Sequence, residues 1–487
     1  MNTKKFIILH SNDMHGDFLA EASGTEGDLI GGLALLSGYI NKVRKEEENV
    51  LFVIAGDMLQ GSLIDSEYRG LSTIELMNYL SPDVATIGNH EIDYGLSHLL
   101  FLEKLASFPI VNANLYIKKY NKRLMQPHLI IKKAGFNFLF SGIITEKIID
   151  SLKMEDLIGS FISVEEAAHE VGRICNTYKN DDIDLTVLLT HIGYESDLEL
   201  ARLLKHEWGV DLILGGHSHT FLEKPTEINN ILIAQAGVGI NQIGRFDITV
   251  DNDTNSIVDY QWKLIPINND IAEPDEVLLE FIESFKECVD RKYNTQITKF
   301  TQVATHPERE IETSLGNIFA DGLACAADCD VMFLGSGSIR FEKLGPCVTL
   351  KDFRSCFPYD DKLTKFYING HKLQKIFAHI MRVENRDGEG ECYQVNSGVQ
   401  ARYCNKTEKL DLLKVGNECV DENRLYSICL QDYHLSNCAE FLNITEKELM
   451  NEKCSKVVST SVQDMLEEYL RYHQNIKPKL ENRLVYI

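Results

Sequence analysis

The sequence predicts an α/β protein built in parts: an alternating strand–helix domain over residues 1–270, an interdomain helix within 271–300, and a smaller mixed α/β domain over 301–487. Three observations support this. The chain has 487 residues, and single hydrophobic cores stop growing beyond about 250–300. Hydrophobic residues make up 44% and charged residues 25%, the balance of a folded globular protein. Finally, short apolar runs alternate with amphipathic stretches up to about residue 265, after which the texture changes. Strands alternating with helices argue for a sheet covered on both faces.

The elements follow in order. Lys5–Leu9, Val50–Ile54, Val84–Ile87, Ile110–Asn112, Phe136–Ile144, Leu185–Leu189 and Leu212–Leu214 are strand-length runs rich in Ile, Val, Leu and Phe. Between them lie the expected helices Leu33–Glu48, Ile74–Leu80, Leu96–Ala106, Val164–Lys179 and Leu198–Trp208. The first places Leu33, Leu36, Ile40 and Val43 on one face. Ile231–Ala236, Arg245–Val250 and Tyr260–Ile267 follow without intervening helices, the pattern of an antiparallel addition. Pro274-Asp275-Glu276 opens a charged helical stretch, Val277 to Tyr293. The remainder mixes short strands with helices expected at Asn317–Ala327, Gly370–Arg382 and Val458–His473.

Composition narrows the function classes. Lys+Arg 49 against Asp+Glu 73 leaves a formal charge of −24, a field that disfavours nucleic acid polymers and anionic membranes as partners. The apolar run Phe6–Leu9 is broken at once by His10, Ser11, Asn12 and Asp13, so neither a signal peptide nor a membrane span is expected and the chain is expected to be cytoplasmic. The 12 cysteines are accordingly expected as reduced thiols. No CxxC pair occurs among them, which argues against a thiolate metal site.

The chemistry lies at the strand ends. Phe6–Leu9 leads into Asp13-Met14-His15, and Leu51–Ile54 into Gly56-Asp57. Val84–Ile87 leads into Gly88-Asn89-His90-Glu91-Ile92-Asp93, Leu185–Leu189 into Thr190-His191, and Leu212–Leu214 into Gly215-Gly216-His217-Ser218-His219. In open α/β sheets the functional crevice lies outside the carboxyl ends of the strands, so these residues are expected to converge. Two carboxylates, one amide oxygen and four imidazoles form a mixed N/O donor set suited to Mn, Zn, Co, Fe or Ni. Seven ligands (Asp13, His15, Asp57, Asn89, His191, His217 and His219) exceed one tetrahedral site and suit two divalent metal ions sharing Asp57. Water held between two cations becomes hydroxide near neutral pH and can attack phosphorus in line. His90, adjacent to a ligand, is placed to protonate a leaving oxygen, with Asp93 three residues on to orient its ring.

These residues in this order resemble the calcineurin-like metallophosphoesterases, and more narrowly the 5′-nucleotidase family, in which such a domain precedes a C-terminal substrate-binding domain. The resemblance implies an N-terminal αββα sandwich. It implies a first metal held by Asp13, His15 and His219, a second held by Asn89, His191 and His217, Asp57 as bridge, and His90–Asp93 as catalytic dyad. In the second half, Glu312 to Asp321 resembles the family's Gly-Asn helix start, which includes Asn317, and Leu334 to Arg340 resembles its Ile-Arg loop. Pro358-Tyr359-Asp360-Asp361 resembles its Pro-Phe segment. Asn317, Arg340, Tyr359 and Tyr433 are thereby implicated in substrate binding, the two tyrosines as stacking partners of a base. Gly335 and Ala439 stand where the family carries Asn and Asp, which weakens the expectation of ribose reading.

The resulting expectation is a dinuclear phosphoester hydrolase of the 5′-nucleotidase or 2′,3′-cyclic-nucleotide phosphodiesterase type. A nucleotide-sugar or dinucleotide pyrophosphatase would use the same ligands. A non-catalytic metal-containing ligand sensor is the reading of another class, and the His90–Asp93 pair argues against it, because a sensor needs no leaving-group acid. An amidohydrolase-type site would begin with His-x-His on the first strand, which this chain lacks.

Overall fold

The computed structural model describes residues 3–22, 29–117, 120, 122–145, 160–161, 163–386, 391–450 and 455–487. The chain divides into two compact units, Met1–Val289 and Asp290–Ile487, so the division falls inside the helix Glu276–Tyr293.

The first unit contains two large sheets. One runs in the order Ser256–Pro266, Gln242–Asp251, Thr3–Ser11, Val50–Ala55, Val84–Thr86. Its last three strands are parallel, with Ile7 opposite Val50 and Val53 opposite Val84, and the first two are antiparallel additions. The other runs Thr226–Ile228, Ile231–Ala234, Leu212–Leu214, Leu185–His191, Phe136–Ile144, His128–Lys133, with the four inner strands parallel. Alternation along each strand decides which side chains lie between the sheets. Phe6, Ile8, Leu51, Val53, Phe138, Phe140, Val187 and Leu189 pack into one shared core. Leu139, Ile143, Leu188 and Ile213 face outward, where Val171 and Ile174 of helix Val164–Thr177 and Leu200 of helix Tyr194–Leu203 cover them. On the other sheet, helix Leu33–Glu46 buries Leu33, Leu36, Ile40 and Val43. The architecture is the αββα sandwich.

Sequence signals account for several element ends. Ser163 and Glu166 form a capping box at the start of Val164–Thr177. Helix Leu33–Glu46 carries Arg44 and Lys45 in its last turn, opposite the negative end of its dipole. Some expectations are corrected. Ile110–Asn112 is not a strand; Ile110 and Val111 make only isolated bridges, to Ala85 and Gln126. The helix expected at Leu198–Trp208 starts earlier, at Tyr194 after Gly193, and ends at Leu203, because Leu204 turns extended before the short turn His206–Trp208. The helix expected from Val458 begins at Val462; Lys456–Ser459 is a strand, and Ser461 caps the helix by accepting the Asp464 N–H.

The second unit is built around the four-stranded sheet Val331–Met332, Leu425–Gln431, Leu363–Asn369, Lys456–Ser459. Met332, Leu363 and Cys429 face helices Ser314–Ala327 and Val462–Tyr472. Val331, Phe366, Ile368 and Ile428 face helix Gly370–Ile380. A second four-stranded sheet joins Val399–Cys404 to Leu484–Tyr486 near the chain end.

Phe138 is fully buried between the two sheets and meets Phe6 edge-on at 4.8 Å. Phe138→Ala is expected to destabilise the first unit by about 3–5 kcal/mol. Both tryptophans, Trp208 and Trp262, lie in that unit. Their fluorescence during denaturant titration reads its transition, and an unmoved midpoint would contradict the shared core.

Candidate metal centre

The parallel strands of both sheets end on one edge, and their following turns carry the polar clusters. Asp13, His15, Asp57, His217 and His219 all adopt positive φ, between 50° and 79°. Left-handed backbone at non-glycine residues is uncommon and costs about 1–3 kcal/mol each. Here the turns are locked by long-range backbone bonds: Asp13 N–H to the Gly56 carbonyl, His15 N–H to the Asp57 carbonyl, and Gly239 N–H to the Asp13 carbonyl. Gly88 matters for close approach, since a Cβ there would strike the Asp57 carboxylate.

Three groups of ligand atoms result, each drawn within 4.8 Å: Asp13–His15–His219, Asp57–His191–His217 and His15–Asp57–His90. Asp57 belongs to two of them. His191 Nε2 lies 3.1 Å from Asp57 Oδ2 and 3.8 Å from Asp13 Oδ1. His219 Nε2 lies 3.4 Å from Asp13 Oδ1. Asn89 Oδ1 sits 2.7 Å from His217 Nδ1 and so joins the second group. The floor of the site is buried at Asp13, Asp57 and His191, whereas the side chains of His15, His90 and His219 are partly open to solvent. A floor of buried carboxylates under a rim of imidazoles leaves one open side.

The donor set fits divalent cations. His15 and His219 point their Nε2 atoms at each other at 3.1 Å, and the buried His191 Nε2 faces the carboxylates of Asp57 and Asp13. Ring nitrogens aimed at one another and at carboxylate oxygens are the arrangement of atoms that share a cation. His191 Nδ1 is 2.8 Å from the Ala55 carbonyl, a contact that puts the proton on Nδ1 and leaves Nε2 to the site. Burial pushes the Asp57 carboxyl up, but His191 and the His90 backbone N–H outweigh it and hold it below the usual carboxylate range. Burial likewise pushes His191 down, and the charges of Asp57 and Asp13 reverse this.

His90 Nδ1 is 2.6 Å from Asp93 Oδ2, and its Nε2 is 4.0 Å from Asp57 Oδ2. The hydrogen bond to Asp93 raises the pKa of His90 against the opposing effect of burial. The imidazole therefore keeps one nitrogen anchored and offers the other to the open side.

Sequence reasoning does not single out Glu91, although it stands inside Gly88-Asn89-His90-Glu91. It is 2% exposed and accepts the backbone N–H groups of Asp57, Met58, Leu59 and Gly88. Burial, reinforced by the charge of Asp57, raises its pKa. The available signal is an acidic residue beside three polar ones at a strand end; which N–H groups it meets depends on the turn after the neighbouring strand.

In the second unit, Arg340 is exposed and its guanidinium lies 5.5 Å from the Tyr359 ring centre. Tyr359 and Tyr433 are both large exposed rings, and Asp361 accepts the Tyr433 N–H at 3.0 Å, tying the two segments together. Asn317 lies inside the second unit, and its amide nitrogen is engaged there while its Oδ1 has no hydrogen-bond partner. It is buried, and its amide nitrogen donates to Glu312 Oε1 at 2.7 Å and the Lys479 carbonyl at 3.1 Å. Glu312 in turn accepts the N–H groups of Glu481 and Arg483, so Asn317 helps dock the C-terminal segment. The space beside Gly335 is also filled. A Cβ there would collide with the His434 imidazole, which is buried and sits 3.2 Å from Glu391 Oε1. A loop Asn at 335 and His434 are thus mutually exclusive in this packing.

Removing the Glu91 carboxylate abandons four backbone donors. Glu91→Ala is expected to destabilise the first unit by more than about 3 kcal/mol, at 1–3 kcal/mol per unsatisfied buried donor, and to lower bound metal. Tryptophan fluorescence and elemental analysis measure the two effects, and unchanged metal content would show that the Asp57 turn holds its shape unaided.

Comparison with known proteins bears on what this geometry does. Residues 6–221 match the calcineurin-like phosphoesterase family, and residues 293–446 match the 5′-nucleotidase C-terminal domain. The chain is 26% identical to a 5′-nucleotidase-related protein of Glossina morsitans morsitans, over 99% of this chain and 94% of that one. It is 26% identical to a 5′-nucleotidase of Vibrio parahaemolyticus, over 89% and 84%. Its fold is similar to that of the 5′-nucleotidase precursor from Thermus thermophilus, with a TM-score of 0.60 and 22% identity over 99% of each chain.

Proposed function

Since the chain belongs to the 5′-nucleotidase family of calcineurin-like phosphoesterases and is a metal-dependent phosphoester hydrolase, we propose that it hydrolyses nucleotides or related small phosphoesters with two divalent cations, which Asp13, His15 and His219 on one side and Asn89, His191 and His217 on the other would hold, with Asp57 as the residue common to both. The observation that carries this reading is the convergence of Asp13, His15, Asp57, His191, His217 and His219 into overlapping ligand groups. The mixed N/O donors favour Mn, Zn, Co, Fe or Ni. When bound, such cations offset charge on phosphoryl oxygens and acidify water.

The chain's own residues supply the rest. Asp13 and His191 form the buried floor and fix the positions of their donors. His90, anchored at Nδ1 by Asp93, holds a proton at Nε2 for the departing oxygen. The exposed rings of Tyr359 and Tyr433 offer surfaces for a nucleobase, a contact worth about 1–3 kcal/mol, and Arg340 offers a cation for a substrate oxygen. A cytosolic location is our proposal from the sequence, which opens without a long apolar leader-like run. The eleven cysteines among the described residues are free thiols, and among those residues no helix is long and apolar enough to cross a membrane.

The direct test is a panel of nucleoside monophosphates, cyclic nucleotides, dinucleotide pyrophosphates and aryl phosphates, assayed with each metal. Release of phosphate from nucleoside monophosphates with the highest kcat/KM is the expected outcome. Turnover of pyrophosphates alone would move the substrate class, and no turnover of any member would sink the reading.

The dyad gives a second test. His90→Asn is expected to keep its metal and lose roughly 10²–10⁴-fold in kcat, with a smaller loss on aryl phosphates, whose leaving groups need no proton. Asp93 raises the pKa of His90, so the protonated acid persists to higher pH than an ordinary histidine. Asp93→Asn should therefore shift the alkaline limb of the pH–rate profile to lower pH. A limb that stays in place would remove Asp93 from this role.

A further inference from the structure

Behind the two histidines of the loop Gly215–His219 runs a chain of side-chain hydrogen bonds whose residues carry no ligand atom. Asp197, in the first turn of helix Tyr194–Leu203, is fully buried. Its Oδ2 accepts Gln235 Nε2 at 2.9 Å. Gln235 is also fully buried and follows the strand Ile231–Ala234. The same Nε2 reaches the Gly216 carbonyl at 3.3 Å, and Gln235 Oε1 accepts the Ser218 hydroxyl at 3.0 Å. Ser218 Oγ accepts the Tyr194 N–H at 2.9 Å and lies 2.8 Å from Thr220 Oγ1. Gly215 leaves room for this contact, since a Cβ there would strike Asp197 Oδ2.

The position of Ser218 is what makes the chain functional. Its neighbours His217 and His219 both adopt positive φ, 79° and 53°, a conformation that L-residues hold only when the surroundings impose it. The two imidazoles also serve different ligand groups: His217 lies with Asp57 and His191, and His219 with Asp13 and His15. One buried amide therefore grips the single residue between a ligand of each group.

We infer that Gln235, oriented by Asp197, is a positioning residue that sets both histidines at once and so couples the occupancy of the two metal positions. The inference rests on the two-metal reading above. An amide at 235 is suited to the task because it donates to a carboxylate with one end and accepts a hydroxyl with the other. Truncating it leaves the Asp197 carboxylate buried without its donor and the Ser218 hydroxyl without its acceptor. The loop is then free to leave its left-handed conformation, and both imidazoles move.

The test uses the full chain loaded with Mn, with metal affinity measured by titration and stoichiometry by elemental analysis. Gln235→Ala is expected to weaken both metals in parallel by roughly 10–100-fold, the usual cost of losing a partner behind a ligand. His219→Ala should weaken one metal far more than the other. Asp197→Asn keeps an acceptor oxygen for Gln235 Nε2 and should hold both metals, whereas Asp197→Ala should follow Gln235→Ala. Losing the donor to the buried Asp197 also lowers the unfolding midpoint, so the result that supports the inference is parallel weakening of both metals in a Gln235→Ala protein still folded, by tryptophan fluorescence, at the temperature of the titration, against one-sided weakening in His219→Ala. Wild-type metal affinities in Gln235→Ala, or loss of one metal alone, would overturn it. If Gln235→Ala fails to fold, Ser218→Ala removes the hydroxyl half of the grip and leaves the Gly216 contact; a smaller but still parallel weakening of both metals is then expected, and two wild-type affinities in that variant would overturn the proposal. Failure of the underlying reading is distinguishable, since the wild-type protein itself would then bind fewer than two Mn ions.

Discussion

Placing the carboxylates of Asp13 and Asp57 at the floor of the site removes two negative charges from water. An uncompensated buried charge costs several kcal/mol, so the surrounding structure is arranged to compensate them. Asp57 accepts the His90 N–H and faces His191. Asp13 accepts the His217 N–H with both oxygens and the Asn12 amide with one. Most of these partners come from the ends of other strands. The compensation works only if the two sheets stack with their carboxyl edges aligned, which the shared core of Phe6, Val53, Phe138 and Val187 enforces. The same like-charge repulsion that makes this floor costly in the bare protein makes it a strong cation site.

Rigidity and strain are distributed accordingly. Five of the seven candidate ligands occupy left-handed backbone, and they are held by bonds reaching across the fold rather than along the chain. Glu91 satisfies four N–H groups around Asp57, and Gln235 grips the loop between His217 and His219. Both lie behind the ligands and are fully or almost fully buried. A site of this kind is organised before substrate arrives, which keeps reorganisation out of the chemical step.

The second unit works by different physics. Its candidate substrate residues, Arg340, Tyr359 and Tyr433, are exposed. In a chain of net charge −24, an anionic substrate is repelled at long range. Within the second unit Arg340 supplies a local positive charge beside the Tyr359 ring, and an aromatic face is indifferent to the charge of the chain. His434 filling the space beside Gly335 shows that the departure from the family pattern there is compensated sterically and is not a void.

Much of the catalytic unit was legible in the sequence because a strand's burial follows from alternation along it, and parallel strands bring their ends to one edge. The runs ending at Asp13, Asp57, Asn89, His191 and His217 could therefore be gathered into one site without coordinates, and the structure groups their ligand atoms. What resisted was whatever depends on partners far apart in the chain. Ile110–Asn112 has strand composition but only isolated bridges. The amide nitrogen of Asn317 meets Glu312 and the Lys479 carbonyl, partners that its motif does not announce. The roles of Glu91 with the Asp57 turn, of His434 with Gly335, and of Gln235 with Ser218 are set by contacts between separate turns. Local spacing encodes which face a residue takes on its own element; it does not encode which backbone N–H or hydroxyl from another element will meet it. Alternation and strand-end chemistry can be read from the order of residues alone. How the buried charges and strained turns of the site are held emerges from the fold, because their partners exist only once the two sheets have stacked.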